Sequence, residues 1–158
     1  MRSLPRGSHR RIFQANHPTI SFGVIMASSI DEKEKARRVF EEVFNQADFD
    51  LAHDLFTDDF IAHAFPDLRG PDGVETIVTT FRKGFPDIQW SIENLFGEGP
   101  FVAVRWSAEG SHDGEFRGHD PTCSTVEIPG TTIIRFENNQ TAEGWTIFDE
   151  LGLLQQIG

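Results

Sequence analysis

Apolar residues recur at helical spacing in the first half of the chain. The earliest such stripe repeats at intervals of three and four: Ala36, Val39, Phe40, Val43 and Phe44. Ser29 and Glu32 precede it in the order of a capping box, which predicts a helix that begins near Ser29. Asp48 can cap a second, shorter helix. A third helix is predicted after the turn at 70–73, and it should end before Pro86, because the residue before a proline disfavours helix.

After Pro86 the apolar period changes to two, which is typical of strands. The predicted strands are 88–92, 102–107, 126–136 and 145–149, with turns expected at Pro129-Gly130 and Asn138-Asn139. Helices come first and strands follow with short connections. This order predicts an α+β fold, in which helices pack on one face of a mainly antiparallel sheet.

Composition narrows the function class. The 158 residues suffice for one domain, and 14 basic against 25 acidic side chains give a formal charge of −11. Such a charge disfavours nucleic acid and anionic membranes as partners. No apolar run has the length of a membrane span. The single cysteine, Cys123, fits a reducing compartment, and we expect a cytoplasmic location.

The N-terminal segment differs in charge from the remainder. The first 30 residues hold four arginines and no acid, and they lack sustained periodicity until the predicted helix. We therefore expect residues 1–28 to be a disordered leader and residues 29–158 to form the domain. The leader has three possible origins: an expression tag, translated upstream sequence with Met26 as the true start, or a targeting peptide.

Asp149 is the leading candidate for acid–base chemistry. The chain has no tyrosine, so no phenol group is available to transfer a proton. Asp149 shares strand parity with Trp145 and Ile147, so burial of those two side chains would place its carboxylate in an apolar cavity. Burial would raise the pKa of the carboxylate toward neutrality. The alternative is a solvated carboxylate that caps the segment 151–156.

Three histidines are further candidates. His63 shares parity with Ile61 and Phe65, which would turn it inward either as a core residue or as a site residue. His112 and His119 lie in a polar stretch, where solvated side chains are the ordinary outcome. These three with a carboxylate could form a metal site, but no ligand spacing supports one, and we expect no metal. The motifs of nucleotide-binding loops and of serine hydrolases are absent from the sequence.

The strand motifs together resemble those of the SnoaL-like polyketide cyclase family, within the nuclear-transport-factor-2-like superfamily. The resemblance spans roughly residues 31–158 and consists of five motifs in order: Phe85-Pro86-Asp87, residues 102–106 (VAVRW), residues 110–118 (GSHDGEFRG), Pro121-Thr122, and Trp145-x-x-x-Asp149 followed by residues 152–158 (GLLQQIG). The sequence departs from the family pattern at two places. The family commonly has Pro-Thr-Gly where this chain has Pro121-Thr122-Cys123, and it commonly has an Asp-Gly-Lys turn where this chain has Asn138-Asn139-Gln140.

The resemblance implies a cone-shaped barrel that encloses an apolar pocket, usually in a homodimer, and an aspartate that acts without a cofactor in an aldol ring closure. Asp149 matches that aspartate, and His63 and His112 match positions that tend to line the pocket. We therefore expect a polyketide-like, hydrophobic carbonyl ligand, no cofactor, and three catalytic candidates: Asp149, His63 and His112. The expected ligand-binding residues are Trp145, Trp106, Phe65, Phe85, His119 and Ile147.

Two function classes stay open at this stage. One is an acid/base cyclase or isomerase, and the other is a non-catalytic binding or dimerisation module with the same pocket. A minor alternative is an epoxide-hydrolase-like reaction, which would need Arg105 between two acids, although its strand parity leaves it free to face either way. Phe101 and Ala103 have the opposite parity to Val102 and Val104, so we predict a homodimer through the outer sheet face.

Overall fold

The computed structural model describes residues 22–64 and 66–158, with side chains from residue 30 onward. Its elements in chain order are α1 Phe22–Arg38, a π-helical segment Val39–Phe44, α2 Phe49–Leu55, β1 Phe56–His63, β2 Leu68–Arg69, α3 Gly70–Gly84, β3 Gln89–Glu98, β4 Phe101–Ser111, β5 Thr125–Glu137, β6 Gln140–Phe148 and α4 Glu150–Ile157. The predicted α+β class is confirmed. Most of the expected leader, residues 1–21, lies outside the described residues.

The strands form one curved, unclosed sheet in the order β2-β1-β6-β5-β4-β3. Every neighbouring pair is antiparallel except β1 and β6, which run parallel. The helices α1 and α3 and the π-helical segment pack on one face, which we call the inner face. The opposite side is the outer face.

None of the helices in the described part of the chain is both long and apolar enough to cross a membrane.

Alternation along β4 separates the two faces. Val102, Val104, Trp106 and Ala108 are buried on the inner face. Their partners on β5 are Ile134, Thr132, Gly130 and Ile128. Aromatic rings fill the space under this sheet, with Phe44 and Phe81 both in edge contact with Trp90 at 5.4 and 6.1 Å. The inner face is thus the hydrophobic core.

Most predicted elements are confirmed, with four corrections. Asp48 caps α2 by accepting the Leu51 amide at 3.0 Å, and α3 ends at Gly84, before Pro86 as expected. The turn predicted at 70–73 is wrong, because α3 begins at Gly70 and includes these residues. The first helix begins at Phe22 and not at Ser29. Strand β5 continues through Pro129-Gly130, so the turn predicted there is wrong. The alternation also missed β1, because polar Thr57, Asp58 and Asp59 interrupt its apolar positions.

Strand β3 contains a bulge that reverses its parity. Ile92 pairs with Trp106, but the next pair is Asn94 with Arg105, so Glu93 is an extra residue. Before the bulge Trp90 and Ile92 face the core. After it Leu95 faces inward, while Asn94 and Phe96 lie on the outer face opposite Arg105 and Ala103. Sequence alternation alone cannot reveal this reversal.

Candidate functional site

The inner and outer faces of β6 are identified by a chain of side-chain hydrogen bonds. The Trp106 indole N–H donates to the Thr132 hydroxyl at 3.0 Å, and Thr132 bonds the Thr146 hydroxyl at 2.9 Å. Thr146 therefore lies on the inner face, and Trp145 and Ile147 lie on the outer one. Ile147 is 81% exposed. The prediction that both face the core is wrong, because β6 carries apolar side chains on both faces and apolarity alone does not identify the buried one.

Asp149 lies between the last residue of β6 and the first residue of α4. Its carboxylate Oδ1 accepts the Gly152 amide at 2.8 Å, and the residue is exposed. It is thus the N-cap of α4, which satisfies one of the free amides of that helix. The buried, apolar surroundings predicted for this carboxylate are wrong, and the alternative of a solvated cap describes it correctly.

His63 lies on the outer face in a cluster of charges. The parallel pairing of β1 with β6 places His63 beside Trp145. The two rings stack, with their centroids 5.0 Å apart and an angle of 11° between their planes. His63 Nε2 is 3.1 Å from a Glu143 oxygen, and Arg135 Nε donates to the other oxygen at 2.6 Å. Arg135 first, and His63 second, hold the pKa of Glu143 below its usual range. The predicted inward orientation of His63 is wrong.

His112 is fully buried next to Phe85, whose ring centroid is 5.3 Å away. Its Nδ1 lies 3.0 Å from the Thr122 hydroxyl oxygen and 3.3 Å from the Thr122 amide nitrogen, which donates to it. Its carbonyl accepts the amides of Thr122 and Cys123 at 3.2 and 3.0 Å. His112 therefore holds the loop after β4 as a core residue.

The other predicted site residues are dispersed. His119 is half-buried in a tight turn with Phe116, and Phe65 lies outside the described residues. His63 and His112 belong to opposite faces of the sheet, so the open metal set of three histidines is not assembled. Within residues 30–64 and 66–158, no three His, Cys, Asp or Glu side chains are grouped so that they could hold a metal ion.

A cleft of about 730 Å³ crosses the middle of the outer face, and we call it the Asp149 cleft. Pairing across the sheet aligns Asn94, Arg105, Thr131 and Ile147 in one row beneath it. The cleft brings together three of the predicted residues, Asp149, Trp106 and Ile147, with a guanidinium. Its lining residues are Glu93, Arg105, Trp106, Ser107, Glu127, Pro129, Gly130, Thr131, Ile147, Phe148 and Asp149.

Arg105 is the cation whose face of the sheet could not be predicted from strand parity. It lies on the outer face, where Nε donates to Asn94 Oδ1 at 2.8 Å, and one terminal nitrogen is 4.0 Å from Glu93. Ser107 donates to the other oxygen of Glu93 at 2.8 Å and holds that carboxylate in place. The cleft thus offers a proton acceptor, Asp149, and a fixed cation, beside an apolar wall. These are the elements of acid–base chemistry on an apolar carbonyl compound.

A second recess, of about 630 Å³, lies next to the cleft and is mostly apolar. We call it the outer patch. Pairing aligns Phe96, Ala103, Ile133 and Trp145 in one row across four strands, and Phe101 lies beside them. Phe96 is 65% and Ile133 43% exposed. Large apolar side chains exposed side by side in this way mark a surface for interaction.

Comparison with known proteins places this geometry in context. The family model described as SnoaL-like polyketide cyclase matches residues 34–157. No curated protein matches the chain significantly. A protein of known structure from Jannaschia sp. CCS1, provisionally described as a SnoaL-like polyketide cyclase, superposes with a TM-score of 0.76 at 25% identity, over 82% of this chain and 92% of its own.

Two further solved structures share the fold. IdmH from Streptomyces antibioticus, provisionally described as a polyketide cyclase, gives a TM-score of 0.70 at 25% identity, over 80% of this chain and 98% of its own. AclR from Streptomyces galilaeus, provisionally described as a hydroxylase, gives a TM-score of 0.73 at 23% identity, over 82% of this chain and 86% of its own. Proteins of this fold have therefore been assigned more than one kind of chemistry.

Proposed function

Because this chain belongs to the SnoaL-like polyketide cyclase family, we propose that it is a cofactor-independent acid/base enzyme that closes a ring in an apolar carbonyl compound. We place the reaction in the Asp149 cleft. The observation that carries this proposal is that Asp149 and Arg105 line the same cleft of about 730 Å³. Small-molecule sites commonly have this size, and they combine an apolar lining with a few polar groups.

The proposed reaction begins with proton transfer to Asp149. The carboxylate takes a proton from the carbon next to a carbonyl group, and the electron pair of that C–H bond becomes an enolate. The enolate carbon then forms a carbon–carbon bond to a second carbonyl carbon in the same molecule, whose oxygen becomes an alkoxide. Asp149 returns its proton to this alkoxide, which gives a cyclic hydroxy ketone and restores the carboxylate.

Arg105 takes the role of stabilising the enolate oxygen. Its terminal nitrogens carry donors in addition to the Nε–H that Asn94 accepts, and its charge is most useful when negative charge develops in the substrate. His63 and His112 do not line this cleft, so we assign neither of them this role. The apolar wall, which includes Pro129 and Ile147, would hold the chain of the substrate folded so that its two carbons meet.

A second function is supported by two carboxylates that share the cleft with Arg105. Glu93 lies 4.0 Å from the guanidinium, and Asp149 lines the same cleft. An arginine and two acids in one cleft fit an epoxide-hydrolase-like addition of water. Mass spectrometry of the product separates the two reactions, because hydrolysis adds the mass of water whereas ring closure leaves the mass unchanged. A non-catalytic binder would give neither product.

The test replaces Asp149 with Asn, which is an equally good N-cap but a much weaker base. The probe is a phenyl methyl diketone with three methylene groups between its carbonyls, called the phenyl diketone below. Turnover and the exchange of its α-protons for deuterium should both fall about 100-fold or more in Asp149→Asn, the usual scale for a general base. Thermal stability should stay within about 0.5 kcal/mol, because the cap survives.

Glu127→Gln is the matched control, because it removes another carboxylate from the same cleft. It should retain turnover within about threefold of the wild type. Equal activity in wild type and Asp149→Asn would move the chemistry away from this residue. Binding of the phenyl diketone without exchange or turnover in the wild-type chain would support the non-catalytic alternative.

We also propose that the chain forms a homodimer through the outer patch. Phe96, Phe101 and Ile133 of this patch are exposed in the single chain, and a second copy would remove them from water. The patch and the Asp149 cleft occupy adjacent stretches of the same strands, since Ala103 belongs to the patch and Arg105 to the cleft. Dimerisation would therefore border the cleft.

A further inference from the structure

Arg105 needs support if its guanidinium is to meet one oxygen of a substrate. Its side chain is 60% exposed, and a long exposed side chain samples many rotamers. Asn94 provides the one short hydrogen bond that the described residues give it, from Nε to Asn94 Oδ1 at 2.8 Å. A bond to Nε fixes the plane of the guanidinium group, and it leaves both terminal nitrogens free to donate elsewhere.

The bulge in β3 is what makes this bond possible. In an uninterrupted strand, Asn94 would share the inner face with Ile92, because side chains two apart lie on the same face. The extra residue Glu93 turns Asn94 outward, opposite Arg105. Glu93 therefore lines the cleft, and the next side chain, Asn94, bonds Arg105, which lines it as well. Bulges are frequent next to active sites for this reason, since they redirect a side chain.

We propose that Asn94 is a positioning residue for the reaction, which it serves by fixing the guanidinium of Arg105 toward the Asp149 cleft. This inference rests on the proposed function of that cleft. Asn94 suits the task because its amide oxygen accepts a hydrogen bond without adding charge. A carboxylate in its place would offset the positive charge that the enolate oxygen needs.

Three variants test the role. Asn94→Leu keeps the approximate size but removes the acceptor, and Asn94→Asp keeps the acceptor. Gln89→Leu makes a similar change at an exposed position of the same strand, away from the cleft. Two quantities are measured: the NMR signal of the Arg105 Nε–H, whose exchange with water reports its hydrogen bond, and kcat and KM for the phenyl diketone.

In Asn94→Leu we expect exchange of the Nε–H to accelerate about tenfold or more, and kcat to fall about tenfold with KM within about twofold. This split is expected because the guanidinium acts mainly on charge that forms in the transition state. Asn94→Asp should retain the slow exchange and recover part of kcat. Gln89→Leu should match the wild type in both measurements.

An unchanged kcat in Asn94→Leu would overturn the inference, and so would an equal loss in Gln89→Leu. Failure of the proposed function looks different, because the wild-type chain itself would then leave the phenyl diketone unconverted. In that case the Nε–H signal decides on the positioning of Arg105 alone. Loss of slow exchange in Asn94→Leu with retention in Asn94→Asp supports it, and slow exchange in both variants overturns it.

Discussion

Glu143 is held by two partners on the outer face. Arg135 Nε donates to one of its oxygens at 2.6 Å, and His63 Nε2 lies 3.1 Å from the other. Both partners favour the ionised carboxylate, and they lower its pKa from an ordinary value of about 4.5. Glu143 thus joins β1, β5 and β6 through charge as well as through the sheet.

The lowered pKa of Glu143 predicts how stability depends on pH. The contribution of this carboxylate is fully present above about pH 4.5 and is lost as the pH falls through its lower, folded-state pKa. Glu143→Gln should therefore flatten the fall in unfolding free energy below pH 4.5, measured by urea denaturation at several pH values. Glu98→Gln, on the same face, is the control and should keep the wild-type slope. A wild-type slope in Glu143→Gln would contradict the assignment.

At the scale of elements, β4 and β5 meet through one close contact. Gly130 pairs with Trp106, and the Trp106 ring occupies the space that a Cβ at position 130 would need. The same ring donates its N–H to Thr132, which fixes its position. The absence of a side chain at Gly130 therefore allows the indole to lie flat under the sheet.

Gly130→Ala should consequently destabilise the fold by about 1–3 kcal/mol, as overpacking of a core does. The indole would have to move, so Trp fluorescence should change with the loss in unfolding free energy. Gly144→Ala is the matched control on the next strand, because a Cβ there would meet Phe60 at an ordinary 3.5 Å. If both variants lose equal stability, the close contact at Trp106 is not the cause.

The sequence predicted elements better than it predicted faces. Helices α2 and α3 and the strands from β3 to β6 followed from spacing and from Asp48 and Pro86, which act locally. The faces depend on partners that spacing does not encode. Trp145 was placed inward because it is large and apolar, yet it packs on His63 across a parallel pairing with a distant strand.

The candidate site was predictable only in part. Asp149, Trp106 and Ile147 do line one cleft, but on the outer face rather than in a buried cavity. The sequence named Arg105 only for a minor alternative and left its face open, because the bulge that brings Asn94 opposite it is visible only in the structure.

At the scale of the whole molecule, the outer patch predicts the oligomeric state. Ile133 is the middle of the apolar row, with Ala103 and Trp145 on either side. We expect the wild-type chain to sediment as a dimer at micromolar concentration and Ile133→Glu as a monomer, because a buried unpaired charge is costly. Thr125→Glu, at the exposed far end of the same strand, should remain a dimer.

The same sedimentation experiment can be repeated at different salt concentrations to test the role of charge in the dimer. Each chain carries a formal charge of −11, so two copies repel, and added salt should strengthen the dimer by screening. Dissociation on adding salt would indicate an interface made of ion pairs instead of the apolar row. A monomeric wild-type chain would exclude the proposed interface.

The parallel pairing of β1 with β6 has a consequence for how the protein is made. Phe56 pairs with Thr141, which follows 141 − 56 = 85 residues later in the chain. At a synthesis rate of about 5–20 residues per second, the first strand leaves the ribosome roughly 4–17 s before its partner exists. During that interval the strand of Phe56 and Phe60, which are buried in the finished fold, lacks its partner β6 and cannot join the rest of the sheet. The sheet can therefore be completed only after synthesis of the chain is nearly finished.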